Sequence, residues 1–217
     1  MSVRWTRWAP LTGLVFVVLF VVSTITFTSG PNSDASGASV VTYYVDHQTG
    51  QNLAAYGYGA TAVFGVLFAA VLSSRLRPDS KSGGLPAVGF AGGILIAVGL
   101  LVAAGGNIAL TDVPTKISPA AEQALNVAGD LFQYPLEAGV FLFLAGYGVA
   151  IVCANVLPRW LGWAAIVLAI VAAFSFVGPV FFFGGWVTLA WFAVVSILLF
   201  VREWRASTSP EAAGSGA

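Results

Sequence analysis

Long runs of apolar residues follow one another along the chain, separated by short polar segments. Six runs reach about 18 residues or more, a length typical of a helix that crosses the hydrocarbon core of a bilayer. The predicted spans are residues 9–28, 53–74, 85–110, 131–157, 160–177 and 182–201. They take up most of the chain. The pattern therefore predicts a single membrane domain over residues 1–205, followed by a flexible tail over residues 206–217.

The composition agrees with a membrane protein. Charged residues make up 8% of the chain, hydrophobic residues 58%, and the mean hydropathy is +0.89. A soluble domain usually has about 25% charged residues. Within lipid, a helix satisfies its own backbone hydrogen bonds. We therefore predict an all-α fold: a polytopic membrane protein with a bundle of six transmembrane helices and short helices in the two longer extracytoplasmic loops.

Basic residues divide unevenly between the two sides of this predicted bundle. One side would hold eight of them, and the other side only Lys116. The eight are Arg4, Arg7, Arg75, Arg77, Lys81, Arg159, Arg202 and Arg205. Because basic residues of short loops stay on the cytoplasmic side, this split predicts that both termini lie in the cytoplasm.

The first apolar run also has features of a secretory signal peptide, since Arg4 and Arg7 form a basic segment before it. The run is nearly 20 residues long, however, and a signal peptide usually has an apolar region of about 7–15 residues. We therefore expect an uncleaved first span.

Tryptophans accompany the arginines of the predicted cytoplasmic side. Residues 4–9 (RWTRWA) and 159–164 (RWLGWA) share one pattern. An internal duplication, as in many transporters, is one interpretation. We favour membrane anchoring, because two tryptophans three residues apart share one helix face and an inverted repeat would pair the first span with the fourth. The predicted interfacial anchors are Arg4, Trp5, Trp8, Arg159, Trp160, Trp163 and Trp204.

Each of the two longer loops on the opposite side is predicted to contain a short helix. In the first loop, apolar residues at spacings of one, three and four give a helix with one apolar face lying on the membrane. These residues are Val40, Val41, Tyr44 and Val45, and Thr49 with Gly50 would end the helix. In the second loop, Ser118–Pro119 is a typical helix start, and the helix would run to about Gln133. Together the two helices would form a small cap.

Small residues recur within the third and fourth spans. Glycines seven residues apart lie along one face of a helix, where they let two backbones approach closely. The predicted helix-packing glycines are Gly89, Gly92, Gly93, Gly99, Gly106, Gly139 and Gly146. A glycine stripe can also line a pore, but we favour helix contact and predict that these two spans are central.

A few polar residues suggest a site on the cap side. Ionisable residues within spans are costly and are treated as functional candidates. The hypothesis is an outward-facing polar pocket formed by Asp46, His47, Asn107, Asp130 and Glu137. For Glu137 we favour a hydrated carboxylate at interface depth, stabilised by the helix dipole of the first turn, over a pocket residue. Adjacent helical residues point about 100° apart, so we interpret Asp46–His47 as a helix boundary.

No sequence motif indicates catalysis. The chain contains neither His-Glu-x-x-His, nor Gly-x-Ser-x-Gly, nor a P-loop. Its single cysteine, Cys153, excludes an intramolecular disulfide and a cysteine-rich metal site. We therefore expect no enzymatic activity, no cofactor, no metal and no nucleic-acid partner. An unfamiliar membrane enzyme is kept as the third hypothesis.

Several segments resemble a group of small actinobacterial multi-pass membrane proteins of unassigned function. They are RWxxWA, VVTYYVDHQTGQNLAAY, FAGGILIAVGLLVAA, LPRWLGWAAIVLA and WFAVVSILL. The resemblance implies a six-span protein of the bacterial cytoplasmic (inner) membrane and supplies no site residues.

Two functional hypotheses lead. In the first, the chain is an accessory component of the bilayer that binds a protein partner, or a second copy of itself, through its glycine-rich faces. In the second, it is a small transporter, channel or sensor with a pocket around Glu137. The first is favoured because no polar track crosses the predicted spans.

Overall fold

The structure is a computed structural model that describes residues 7–77, 83–112, 116–129, 134–154, 156–174 and 180–208, with side chains except at 180–184 and 206–208. Over these residues the chain is all-helical. After a 3-10 turn at Ala9–Leu11, the helices are α1 (Thr12–Thr26), α2 (Gly37–Asp46), α3 (Gln48–Leu76), α4 (Leu85–Asp112), α5 (Pro119–Gly129), α6 (Tyr134–Cys153), α7 (Arg159–Phe174) and α8 (Val180–Thr208).

Five stretches are long and apolar enough to cross a membrane. They are Ala9–Thr26, Gln48–Leu76, Leu85–Asp112, Pro119–Cys153, which contains α5 and α6, and Gly185–Arg205. The remaining helix of the bundle, α7, is apolar but has 16 residues. The predicted all-helical fold is confirmed, and its apolar helices are consistent with a membrane bundle. That the chain crosses a membrane six times stays a prediction.

Neighbouring long helices run antiparallel. Where α1 meets α3, Gly13 lies against Phe68 near one end and Gly57 lies against Ser23 near the other. The same alternation continues through α4, α6, α7 and α8, and it brings the described arginines to one end of the bundle. This arginine end holds Arg7, Arg75, Arg77, Arg159, Arg202 and Arg205. The opposite end holds α2 and α5 and is called the cap end.

Helices α4 and α6 form the most closely packed pair of the bundle. A Cβ atom at Gly92 would lie 2.7 Å from Cα of Phe143 and 2.8 Å from the carbonyl oxygen of Gly139. Gly89, Gly93 and Gly146 also face other helices of the same chain. Small residues allow this approach between backbones. Gly106 differs, because it lies towards the cap end and lines a cavity there.

The cap consists of α2 packed on α5. Its small core comprises Val40 and Tyr44 of α2 together with Leu110 of α4, and Leu125 of α5 packs against it. Val45 of the same apolar pattern is exposed. The predicted apolar face of α2 therefore packs against other helices of the chain and not against a membrane surface, because α5 supplies apolar side chains for it.

The boundaries of α2 and α8 differ from the sequence-based predictions. α2 and α3 are separated only by His47, so Gly50 does not end the first cap helix and lies inside α3. α5 is described as far as Gly129, and its predicted end at Gln133 lies outside the described residues. α8 continues to Thr208, so the first residues of the predicted tail are helical, and residues 209–217 lie outside the described part.

Helix α6 begins far below the cap end, and this offset positions the site described next. A Cβ atom at Gly99 of α4 would lie 2.5 Å from the backbone nitrogen of Leu136, in the first turn of α6. From Gly99, α4 continues for 112 − 99 = 13 residues to Asp112, a rise of about 20 Å at 1.5 Å per residue. The described part of α6 therefore lies well below the cap end of α4.

Candidate functional site: a cavity beneath the cap

A cavity of about 410 Å³ occupies the space beyond the first turn of α6. Its walls come from α1, α3, α4, α6 and α8, and residues of the cap segments close it towards the cap end. Most lining side chains are apolar, among them Phe20, Leu100 and Trp186. We call it the large chamber. Small-molecule sites commonly have volumes of about 300–1,000 Å³ and mainly apolar walls with a few polar groups.

A second cavity of about 80 Å³ adjoins the large chamber on the side of the arginine end. We call it the small chamber. The two chambers share Phe20 of α1, Leu136 of α6 and Gly185 with Leu189 of α8. The small chamber has apolar walls except for Glu137 of α6 and Thr188 of α8. The two cavities therefore adjoin each other, and we call them together the recess.

Glu137 is the acidic group of this recess. Its residue is 5% exposed, and its Oε2 atom has no hydrogen-bond partner among the described residues. Glu137 lies in the first turn of α6. The preceding residue, Leu136, is level with Gly99 near the middle of α4. The interpretation of Glu137 as a hydrated carboxylate at interface depth stays a prediction.

Polar side chains of the large chamber come from α1 and α3, from the cap, and from α4. The hydroxyl groups of Thr24 and Tyr58 lie 3.2 Å apart and join α1 to α3. In the cap, the Tyr44 hydroxyl donates to Oδ1 of Asn126 at 3.1 Å, and Nδ2 of Asn126 donates to the carbonyl oxygen of Pro31 at 3.0 Å. These bonds hold hydroxyl and amide groups in place at the chamber wall.

Asn107, which the sequence placed in the candidate pocket, lines the large chamber. Its Nδ2 donates to Oε1 of Gln51 at 2.8 Å. Gln51 is fully buried, and its own Nε2 donates to the carbonyl oxygen of Thr28 at 2.6 Å and to the Tyr43 hydroxyl at 3.0 Å. The pair therefore ties the start of α3 to the end of α4 and orients the Asn107 amide.

Asp46 and His47 do not join this group. Both are exposed and line neither chamber. The His47 ring stacks on Tyr43 with centroids 4.3 Å apart, and its Nδ1 lies 2.9 Å from the Tyr43 carbonyl oxygen. His47 is the junction between α2 and α3, in agreement with the boundary interpretation. Asp130, the remaining predicted pocket residue, lies outside the described residues.

Four side chains at the cap end were missed by the sequence analysis: Thr24, Tyr58, Asn126 and Glu122. Glu122 and Asn126 are both buried and stand one turn apart on α5, a spacing that signals a shared face. Neither carboxylate oxygen of Glu122 has a hydrogen-bond partner in the described chain. Thr24 and Tyr58 were harder to identify from the sequence, because threonine and tyrosine are common within apolar helices.

The described lining of the recess is mainly apolar. Within the described ranges, no three His, Cys, Asp or Glu side chains group as metal ligands would. The lining residues combine aromatic and aliphatic walls with hydroxyl and amide groups and one carboxyl group. Comparisons with known proteins found no match to the chain among protein-family models, curated proteins or solved structures.

Proposed function

We propose that the chain is a membrane-embedded binding protein for a small amphipathic molecule and that the recess beneath the cap is its binding site. The observation that carries the proposal is the large chamber of about 410 Å³, which has the size and the mainly apolar lining of a ligand site. Its polar groups, such as Tyr58 and Asn107, would orient the polar part of the molecule. The proposal includes no catalytic step.

The proposed setting is the bacterial cytoplasmic membrane, crossed six times, with the arginine end in the cytoplasm and the cap outside. Support comes from the clustering of Arg75, Arg159, Arg202 and other arginines at the end opposite the cap, since basic residues stay on the cytoplasmic side. Exposed Trp8, Trp160, Trp163 and Trp204 stand near that end, as interfacial anchors would. In this orientation the large chamber lies in the extracytoplasmic half of the bundle.

Filling the large chamber tests the binding proposal. Ala103 lines the chamber, and Ala91 is exposed on the same helix, so Ala103→Phe and Ala91→Phe form a matched pair. Native mass spectrometry of the protein, gently extracted from its own membrane, should detect a small molecule at fixed stoichiometry. Ala103→Phe should lose most of it, and Ala91→Phe should retain it. Retention by Ala103→Phe, or no bound molecule in the wild type, would refute the proposal.

An accessory role is the second candidate. One observation favours it: α7 exposes large side chains at alternating spacings of three and four residues, the repeat used when two helices pack together. They are Trp160, Trp163, Val167, Ile170 and Phe174. The glycines first considered for this role are largely occupied by packing between α4 and α6. A protein found at fixed stoichiometry in the same spectra, with no small molecule, would favour this role.

A further inference from the structure

The small chamber has one feature that the large chamber does not share. Glu137 contributes a buried carboxyl group, whose Oε2 has no hydrogen-bond partner among the described residues, to a space that is apolar apart from Thr188. Isolated charge in such surroundings is costly unless an opposite charge or hydrogen-bond donors meet it. Among the described residues that line either chamber, none is Lys, Arg or His. The chain therefore supplies no described cation for this carboxylate within the recess.

Aromatic rings surround the same space. Phe16, Phe20 and Phe192 all line the small chamber, and the Phe16 ring stacks on Phe192 with centroids 5.0 Å apart and on Phe20 with centroids 6.2 Å apart. A cation over an aromatic face is attracted by the ring quadrupole, and more strongly where water is excluded. A carboxylate beside several rings is a setting that favours an organic cation over an anion.

The size of the small chamber limits which part of a ligand it can hold. The small chamber measures about 80 Å³, and one water molecule occupies about 30 Å³ of liquid. It therefore has room for a compact head group of a few heavy atoms and not for a long chain. The apolar body of such a molecule would extend past Phe20 and Leu136 into the adjoining large chamber.

We propose that the small chamber is an ammonium subsite: the recess binds an amphipathic amine whose charged nitrogen meets Glu137 and whose apolar body fills the large chamber. This proposal rests on the proposed binding function and specifies its ligand class. Thr188 of helix α8 lines the same chamber and would be a second polar group for the nitrogen. An anionic amphiphile would meet the like charge of Glu137 and is excluded.

Three probes of equal chain length test the ligand class at neutral pH: decylamine, decanol and decanoate. Each is titrated against the purified protein in neutral detergent, and the apparent Kd is read from the rise in melting temperature. Decylamine should bind at least about tenfold more tightly than decanol, with decanoate weakest. Glu137→Gln should remove the preference for decylamine and leave decanol binding unchanged. Equal binding of decylamine and decanol to the wild type would overturn the ammonium subsite.

Two further variants distinguish a wrong ligand class from a wrong binding site. Ala172→Leu narrows the small chamber and keeps Glu137, so it should lower the affinity for decylamine even if Glu137→Gln does not fold. Ala103→Phe should weaken all three probes. If Ala103→Phe weakens them while Glu137→Gln leaves decylamine binding intact, the binding function stands and the ammonium subsite is wrong. If Ala103→Phe changes none of them, the proposed binding site itself is wrong.

Discussion

Tyr147 illustrates how a single polar group is satisfied inside the apolar bundle. Its side chain is fully buried, and its hydroxyl donates to the carbonyl oxygen of Ala69 at 2.6 Å. The same hydroxyl lies 2.7 Å from Oγ of Ser73, which donates to the carbonyl oxygen of Pro86 at 2.9 Å. Tyr147 therefore ties α6 to α3, and Ser73 ties α3 to α4. Glu137 contrasts with it, because its Oε2 has no such partner among the described residues.

Removing the Tyr147 hydroxyl should weaken the bundle measurably. Tyr147→Phe keeps the ring and deletes the bond to Ala69, and hydrogen bonds between membrane helices contribute about 0.6–2 kcal/mol. We expect the free energy of unfolding in mixed micelles to fall by about 1 kcal/mol. Tyr56→Phe is the control, since Tyr56 is exposed. Equal effects of the two variants would show that the hydroxyl does not link the helices.

At the scale of elements, the close pairing of α4 with α6 depends on the absence of side chains. Gly92 and Gly99 of α4, and Gly139 and Gly146 of α6, each lie where a Cβ would meet backbone atoms of the partner helix. Lipid provides no hydrophobic driving force for helix pairing, so close van der Waals contact has to hold such pairs together. Glycine is therefore required at these positions by packing and not by backbone conformation.

A single methyl group should be enough to disturb this pair. In Gly92→Ala the added Cβ would lie 2.7 Å from Cα of Phe143, and overpacking of this kind costs about 1–3 kcal/mol. Gly105→Ala on the same helix is the control, because a Cβ there meets no atom within 4 Å. It should be neutral or slightly stabilising, since alanine favours helix. Thermal unfolding compares them, and similar melting temperatures would contradict the packing argument.

At the scale of the whole molecule, the cavity is a consequence of unequal helix ends. α4 extends about 20 Å past the level of Leu136, in the first described turn of α6, while α2 and α5 pack together over the cap end. At the other end the helices are tied together, for example by the ion pair of Arg75 with Glu203 at 2.6 Å between α3 and α8. The bundle is therefore closely joined at the arginine end and hollow beneath the cap.

The proposed orientation can be tested through Cys153, a free cysteine that is the last residue of α6 at the arginine end. A membrane-impermeant maleimide added to intact cells should not label it, because it would lie on the cytoplasmic side. In a Cys153→Ser background, Ser39→Cys should be labelled from outside, since Ser39 is exposed on cap helix α2. Labelling of Cys153 alone would reverse the orientation.

The sequence by itself determined the helices and their order. Apolar runs and the helix start at Ser118–Pro119 are local signals, because a helix satisfies its hydrogen bonds within one segment. Ser118 does cap α5, accepting a bond from the backbone nitrogen of Ala121 at 3.3 Å. The close approach of α4 and α6 was also predictable, since glycines seven residues apart mark one face. The hypothesis of a pocket named Asn107 and Glu137, and both line the recess.

Tertiary structure decided how far the helices are shifted along one another, and with that the depth of Glu137. Hydrophobic periodicity specifies which face of a helix is buried but not the level at which a neighbour begins, because that level depends on contacts such as Gly99 with Leu136. The same reason explains why Gln51 and Asn107, 56 residues apart, could not be paired from the sequence. A long-range contact leaves no local pattern, so only packing brings the walls of the recess together.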